Sequence, residues 1–174
     1  ENAHHIISSE PLQKGGKTDD FFFLESDGDA AQKLVCDLVT TRLPRSYGFD
    51  PVRDIQVLCP TKLGPTGTQA LNVELQNLLN PEQKGKPQLQ SASRVFRVGD
   101  KVMQVRNNYE IVWNRIGGEQ GVGAYNGDIG IVESINMRDR SMVVRMDDRR
   151  LLYPAENLNE LEIASVSYTH LRAH

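Results

Sequence analysis

The sequence predicts an α/β fold followed by an all-β one: a parallel sheet with helical cover, then a small antiparallel β-barrel. Three observations carry this. Strand and helix signals alternate from residue 20 to residue 80. From residue 95 onward, short β-branched runs recur with turn residues between them. Between the two lies a run of Pro, Gln, Lys, Gly and Ser at 81–92, which reads as a linker or surface loop.

The elements follow in chain order. Phe21–Leu24 is a short apolar run with strand character. Asp29 and Gln32 have the spacing of a helix start, and Ala30, Ala31, Leu34, Val35, Leu38 and Val39 recur at helical intervals. Pro44 should end that helix, because proline has no N–H to donate. Tyr47-Gly48-Phe49-Asp50-Pro51 is a turn region, and Ile55–Leu58 a short buried strand stopped by Pro60. Thr66 and Gln69 form a capping-box pattern ahead of a stripe of Leu71, Leu75, Leu78 and Leu79, which Asn80-Pro81 ends.

The second half predicts strands at Val95–Val98, Val102–Val105, Ile129–Ile135, Met142–Met146 and Leu151–Tyr153. Turns at Asn126-Gly127, Met137–Arg140 and Asp147–Arg150 separate them. A five-stranded barrel over residues 95–160 follows, with both Asn126 and Gly127 able to take positive φ. Residues 107–125 read as a long Gly-rich loop without periodicity, of the kind that is often functional.

Composition narrows the chemistry. At 174 residues and 39% hydrophobic content, the chain can build one ordinary core or two small ones. A net charge of −3 does not mark a nucleic-acid binder, yet Arg94 to Arg150 holds ten Lys/Arg against eight Asp/Glu. Cys36 and Cys59 have no C-x-x-C partner, so neither a zinc site nor a disulfide scaffold is indicated, and they read as reduced intracellular thiols. No apolar run reaches transmembrane length, so no membrane partner is expected. The first residue is Glu and the opening is abrupt, which suggests a piece of something longer.

Gly16-Lys17-Thr18 resembles the end of a phosphate-binding P-loop. The pattern needs glycine where this chain has Pro11, and a helix where Asp19-Asp20-Phe21 begins a strand-like run. The two acids would also repel phosphate, so a Gly-rich turn is the stronger reading. His4 and His5 are adjacent and point to different faces of a helix, which makes them poor joint metal ligands. No nucleophile–His–acid set is identifiable, so no catalytic residue is assigned.

Two segments could bind anions. In "LCPTKLGPTGTQALNVELQ", a strand end leads through a Gly/Pro loop to a helix start. Thr61, Lys62, Thr66 and Thr68 sit where helix N–H groups and a lysine could hold a phosphate. An ordinary connection with a solvated lysine fits equally well. In residues 95–132, Arg106, Tyr109, Trp113, Arg115 and Tyr125 interleave cations with aromatics, as single-strand binders do. On pattern alone, packing of Tyr109 and Trp113 beneath solvated arginines is favoured.

Longer motifs carry a resemblance. "IQVLCPTKLGPTGTQALNVELQNLLNP" resembles the fourth helicase motif of RecD-like superfamily-one ATP-dependent DNA helicases, the exodeoxyribonuclease V alpha-subunit-like family. "FRVGDKVMQVRNNY" with "YNGDIGIV" resembles that family's SH3-like 2B insertion, and "LPRSYGFDPVRDIQVL" and "NAHHI" fit the same pattern. The resemblance covers the chain to about residue 164.

It implies a partial RecA-like parallel α/β domain (2A) at 1–84, an SH3-like β-barrel (2B) at 85–160, and a truncated tail at 161–174 whose end is not native. The implied longer protein is a cytoplasmic bacterial helicase in DNA repair and recombination. It would move 5′ to 3′ on single-stranded DNA, using ATP and magnesium bound by motifs upstream of this segment. Its partners would be single-stranded DNA, the rest of its own chain and, in some relatives, other recombination-nuclease subunits. Thr61, Lys62, Thr66, Thr68, Arg106, Asn108 and Tyr109 are then the expected DNA contacts, with no cofactor or metal held by this segment. After "LNELEIA" the family continues with a DNA-contacting Val-His-Lys-Ser-Gln-Gly motif and an arginine motif. This chain instead reads "SVSYTHLRAH", so residues 165–174 are expected to be foreign to the fold. The alternative is an SH3-like protein-interaction module, for which Tyr109, Trp113 and Tyr125 would supply the rings of a polyproline groove. A free-standing nucleotide hydrolase is the least supported reading.

Overall fold

The computed structural model describes residues 2–11 and 20–168. Gly16-Lys17-Thr18 and residues 169–174 lie outside them. The helices are α1 (Asn2–Ile7), α2 (Gly28–Asp37), α3 (Leu43–Tyr47) and α4 (Thr68–Leu79), with a π-helical turn at Leu38–Arg42. The strands are β1 (Val57–Cys59), β2 (Gln88–Ser91), β3 (Arg94–Arg97), β4 (Lys101–Gln104), β5 (Asn108–Arg115) and β6 (Gln120–Ala124). They continue with β7 (Ile129–Asn136), β8 (Ser141–Met146), β9 (Arg149–Tyr153), β10 (Leu161–Ile163) and β11 (Val166–Tyr168). A 3₁₀ helix at Ala155–Glu160 joins β9 to β10.

Two apolar clusters form. The smaller one buries Val39, Ile55, Cys59, Leu71, Leu75 and Val166 between the helices and the parallel pair β1–β11. Leu71 and Leu75 are the inward positions of the predicted stripe, one turn apart on α4, whereas Leu78 faces solvent. The larger cluster runs from Leu89 to Leu161 inside an antiparallel sheet of seven strands ordered β10-β4-β7-β8-β9-β5-β6.

Several expectations are corrected. Phe21–Leu24 forms no strand, and its side chains are exposed rather than buried in a sheet. The helix does not stop at Pro44. The π-helical turn ends with Leu43 N–H bonded to Leu38 O, five residues back, and Pro44 falls in the first turn of α3 where its missing donor costs little. Gly48 closes the run, left-handed at φ 73°. The Thr66–Gln69 capping box is absent: Gly67 is the N-cap, and no side chain caps α4. The preceding loop caps it instead, Thr61 O accepting from Thr68 N at 3.2 Å and Lys62 O from Gln69 N at 3.2 Å. A Cβ on Gly67 would lie 2.5 Å from Leu63 O, so this folded-back loop needs glycine.

In the second half, the 81–92 linker contains β2, which pairs with β3 and buries Leu89. β3 is thereby taken out of the main ladder, and β10 enters it beside β4. The expected closed five-stranded barrel is not formed. Among the described residues the ladder is open, ending at the three-residue β10 on one side and at β6 on the other. The supposed loop at 107–125 is the β5–β6 hairpin. The Asn126-Gly127 turn is present, but only Gly127 takes positive φ, at 96°. Its closing bond runs from Asp128 N to Tyr125 O at 2.9 Å.

The segment expected to be foreign to the fold begins with β11. Val166 is buried, and Asn72 on α4 grips its backbone on both sides, Nδ2 to the carbonyl at 2.9 Å and Oδ1 from the N–H at 2.8 Å. The β-branched Val166 joins Leu71 and Leu75 in the smaller apolar cluster.

Candidate functional site

The turn between β4 and β5 is built around one carboxylate. Glu160, at the end of the 3₁₀ helix, is 2% exposed and receives side-chain donors from four residues. Arg106 Nη2 donates to Oε1 at 2.9 Å and Asn157 Nδ2 to the same oxygen at 2.9 Å. Gln104 Nε2 reaches Oε2 at 3.0 Å, and Asn108 Nδ2 spans both oxygens at 3.0 Å each. Burial works against ionisation of Glu160, but these hydrogen bonds outweigh it and hold the carboxyl below the usual glutamate range. Gln104 is itself fixed from behind by the buried Tyr153 hydroxyl, which donates to Oε1 at 3.0 Å.

This framework carries exposed groups at its rim. Asn108 Oδ1 accepts from Glu110 N at 2.9 Å, so the Asn108 side chain straddles Tyr109. Tyr109 is 65% exposed and meets Tyr125, 46% exposed, edge-on with centroids 6.0 Å apart. A depression at this rim is lined by Arg106, Asn107, Tyr109 and Glu110 over the Glu160 carboxylate. The Arg106 side chain is 58% exposed, so part of its guanidinium faces water while Nη2 is held.

The other residues singled out in the sequence fare differently. Trp113 is covered: Arg115 and Arg149 lie over its ring at 5.4 and 5.9 Å, and Gly121 packs where any Cβ would strike the indole. It is no free stacking platform. At the start of α4, Thr61 Oγ1 donates to Leu63 O at 3.3 Å, and the first amides of the helix are committed to the loop carbonyls. Lys62 is exposed, as is the rest of that loop to Pro65. Among the described residues no cluster of His, Cys, Asp or Glu could hold a metal ion, and no helix is long and apolar enough to cross a membrane. Burial raises the thiols of Cys36 and Cys59, the neighbouring Glu74 adding to the effect at Cys36.

Residues 71–146 match the family model of the ATP-dependent RecD-like DNA helicase SH3 domain. The chain is also 31% identical, over 130 residues, to the ATP-dependent RecD2 DNA helicase of Deinococcus radiodurans. The chain belongs to the RecD-like helicase family. The aligned stretch is 75% of this chain and 15% of that relative, so the segment spans a small part of a RecD-like helicase. The matched SH3 span takes in Arg106, Asn108 and Tyr109; Thr61 to Thr68 and Glu160 lie outside it.

The RecD-like sequence pattern pointed to the rim but not to its support. Nothing in it marks Glu160, Gln104 or Asn157. Their partners lie up to 56 positions away, and a glutamate ending a polar 3₁₀ stretch has no local signature of burial.

Proposed function

We propose that this segment works within an ATP-dependent, 5′–3′ DNA helicase and handles single-stranded DNA at the β4–β5 rim. The observation that carries this is the exposed Tyr109–Tyr125 pair beside the half-free guanidinium of Arg106. An exposed ring can stack on bases of any identity, and the cation follows the phosphates. Asn108 supports the rim from below, since its amide serves Glu160. A second phosphate contact is proposed at Lys62 and Thr66, made by side chains, because the amide of Thr68 is already bonded to Thr61 O.

ATP and magnesium would be bound elsewhere in the longer protein. The Gly16-Lys17-Thr18 stretch does not fit them: helix α1 precedes it, and residues 21–27 after it have no regular structure, where a P-loop requires strand before and helix after. A role in repair or recombination, alone or beside nuclease subunits, is part of the same proposal.

The test is a titration of the full-length helicase with a labelled oligothymidylate over a range of salt. Tyr109→Ala should weaken binding about tenfold with little change in salt slope. Arg106→Ala and Lys62→Ala should each lower the slope by roughly one unit. Unchanged affinity and slope in all three variants would sink the reading.

A further inference from the structure

We propose that Glu160 is a positioning residue for single-strand binding: it fixes the β4–β5 turn so that Tyr109 presents its ring to the nucleic acid. The inference rests on the functional reading above and adds a residue that touches no DNA itself.

The geometry argues it in three steps. Glu160 holds the turn at both ends, its backbone carbonyl accepting from Val105 N at 2.8 Å and its carboxylate accepting from Asn108 Nδ2 on the far side. Asn108 then passes the constraint on, since its Oδ1 binds the N–H of Glu110 and the backbone of Tyr109 is caught between. Behind Glu160, Gln104 is fully buried and locked by Tyr153, so the carboxylate cannot retreat without stranding buried donors. An exposed ring ordinarily loses side-chain and loop entropy on binding; a pre-set turn removes part of that cost. The exposed part is thus the ring, and the ordered part is the backbone that carries it.

The test uses the full-length helicase and an oligothymidylate, with 3-fluorotyrosine at position 109 as a local reporter. Glu160→Gln keeps the volume but puts an amide among donors. It should weaken binding about tenfold in the wild-type background. In the Tyr109→Ala background the same change should cost less than about twofold, because its effect runs through that ring. The fluorine resonance at 109 should move in the DNA-free Glu160→Gln protein. Asn108→Ala is the second variant: it cuts the link to Tyr109 while leaving Glu160 its other donors, and it should give the same coupling even if Glu160→Gln folds poorly.

A purely structural carboxylate would lower melting temperature, leave the resonance in place and cost the same affinity in both backgrounds. That pattern overturns the proposal, as would tighter binding from a released Arg106. If Tyr109→Ala alone leaves affinity unchanged, the functional reading fails instead, and the resonance shift no longer bears on DNA.

Discussion

Gln76 Nε2 lies 2.6 Å from Asp100 Oδ2, and this bond joins the helical part to the sheet. Asp100 is 3% exposed, and it also accepts from Asn80 Nδ2 at 2.6 Å and from Arg97 N at 2.7 Å. Arg97 in turn donates to Asn77 Oδ1 and Asn80 O. Polar side chains therefore join the two apolar cores at this point. Removing the acceptor strands buried donors on both sides, so Asp100→Ala should cost about 3 kcal/mol. Urea denaturation checks this; a midpoint within error of wild type would show the joint to be incidental.

Titration should separate Glu160 from Asp100. The Glu160 carboxyl is held below its ordinary value of 4.5, so its contribution to stability is complete above that value and lost as pH falls through the lower folded one. Burial pushes Asp100 the other way, above its ordinary 3.8, against the pull of its donors. Its proton is bound more tightly in the folded state, so that contribution is present below the ordinary value and fades as pH rises through the folded one. Stability curves of wild type and Glu160→Gln should converge on acidification, and parallel curves would contradict the assignment.

Glycine substitutions should divide by environment. A Cβ at Gly130 would sit 2.6 Å from Arg145 O on the paired strand, so Gly130→Ala must push β7 from β8 and should cost about 2 kcal/mol or more. Gly48 has open space and only a φ of 73° against it, so Gly48→Ala should cost about 1 kcal/mol. Thermal melts of the two variants give the order directly; a milder effect at Gly130 would refute the packing argument.

Trp113 is the single tryptophan, and it should behave as a structural ring. With Arg115, Arg149 and Gly121 over it, oligothymidylate should leave its fluorescence unquenched, and Trp113→Phe should lower stability while sparing affinity. Strong quenching of Trp113 on binding would move the stacking site from the Tyr109 rim to this ring.

The purified chain should hydrolyse no ATP, with or without DNA. Pro11 stands where a P-loop needs glycine, and the flanking elements are of the wrong type. DNA-stimulated hydrolysis that vanishes in Lys17→Ala would disprove this.

Legibility followed locality. The α4 stripe was readable because Leu71 and Leu75 repeat at one helical turn on a buried face. Strands β7 and β8 were readable because β-branched runs fill them between good turns. The β5–β6 hairpin was not, because Val112, Ile116 and Val122 are exposed and only Ile111 of β5 is fully buried, so no inside–outside alternation reaches the sequence. At the site, the exposed rings could be guessed from type. The carboxylate beneath them could not, because its environment comes from strands and turns far apart in the chain.

The parallel pairing of β1 with β11 has a mechanical corollary. Everything from α4 to β10 is a detour between two neighbouring strands, so the sheet is hung from the helical part by an outgoing and a returning cable. A domain on one cable can swivel. One on two cables, further pinned at Asp100, is held against torsion.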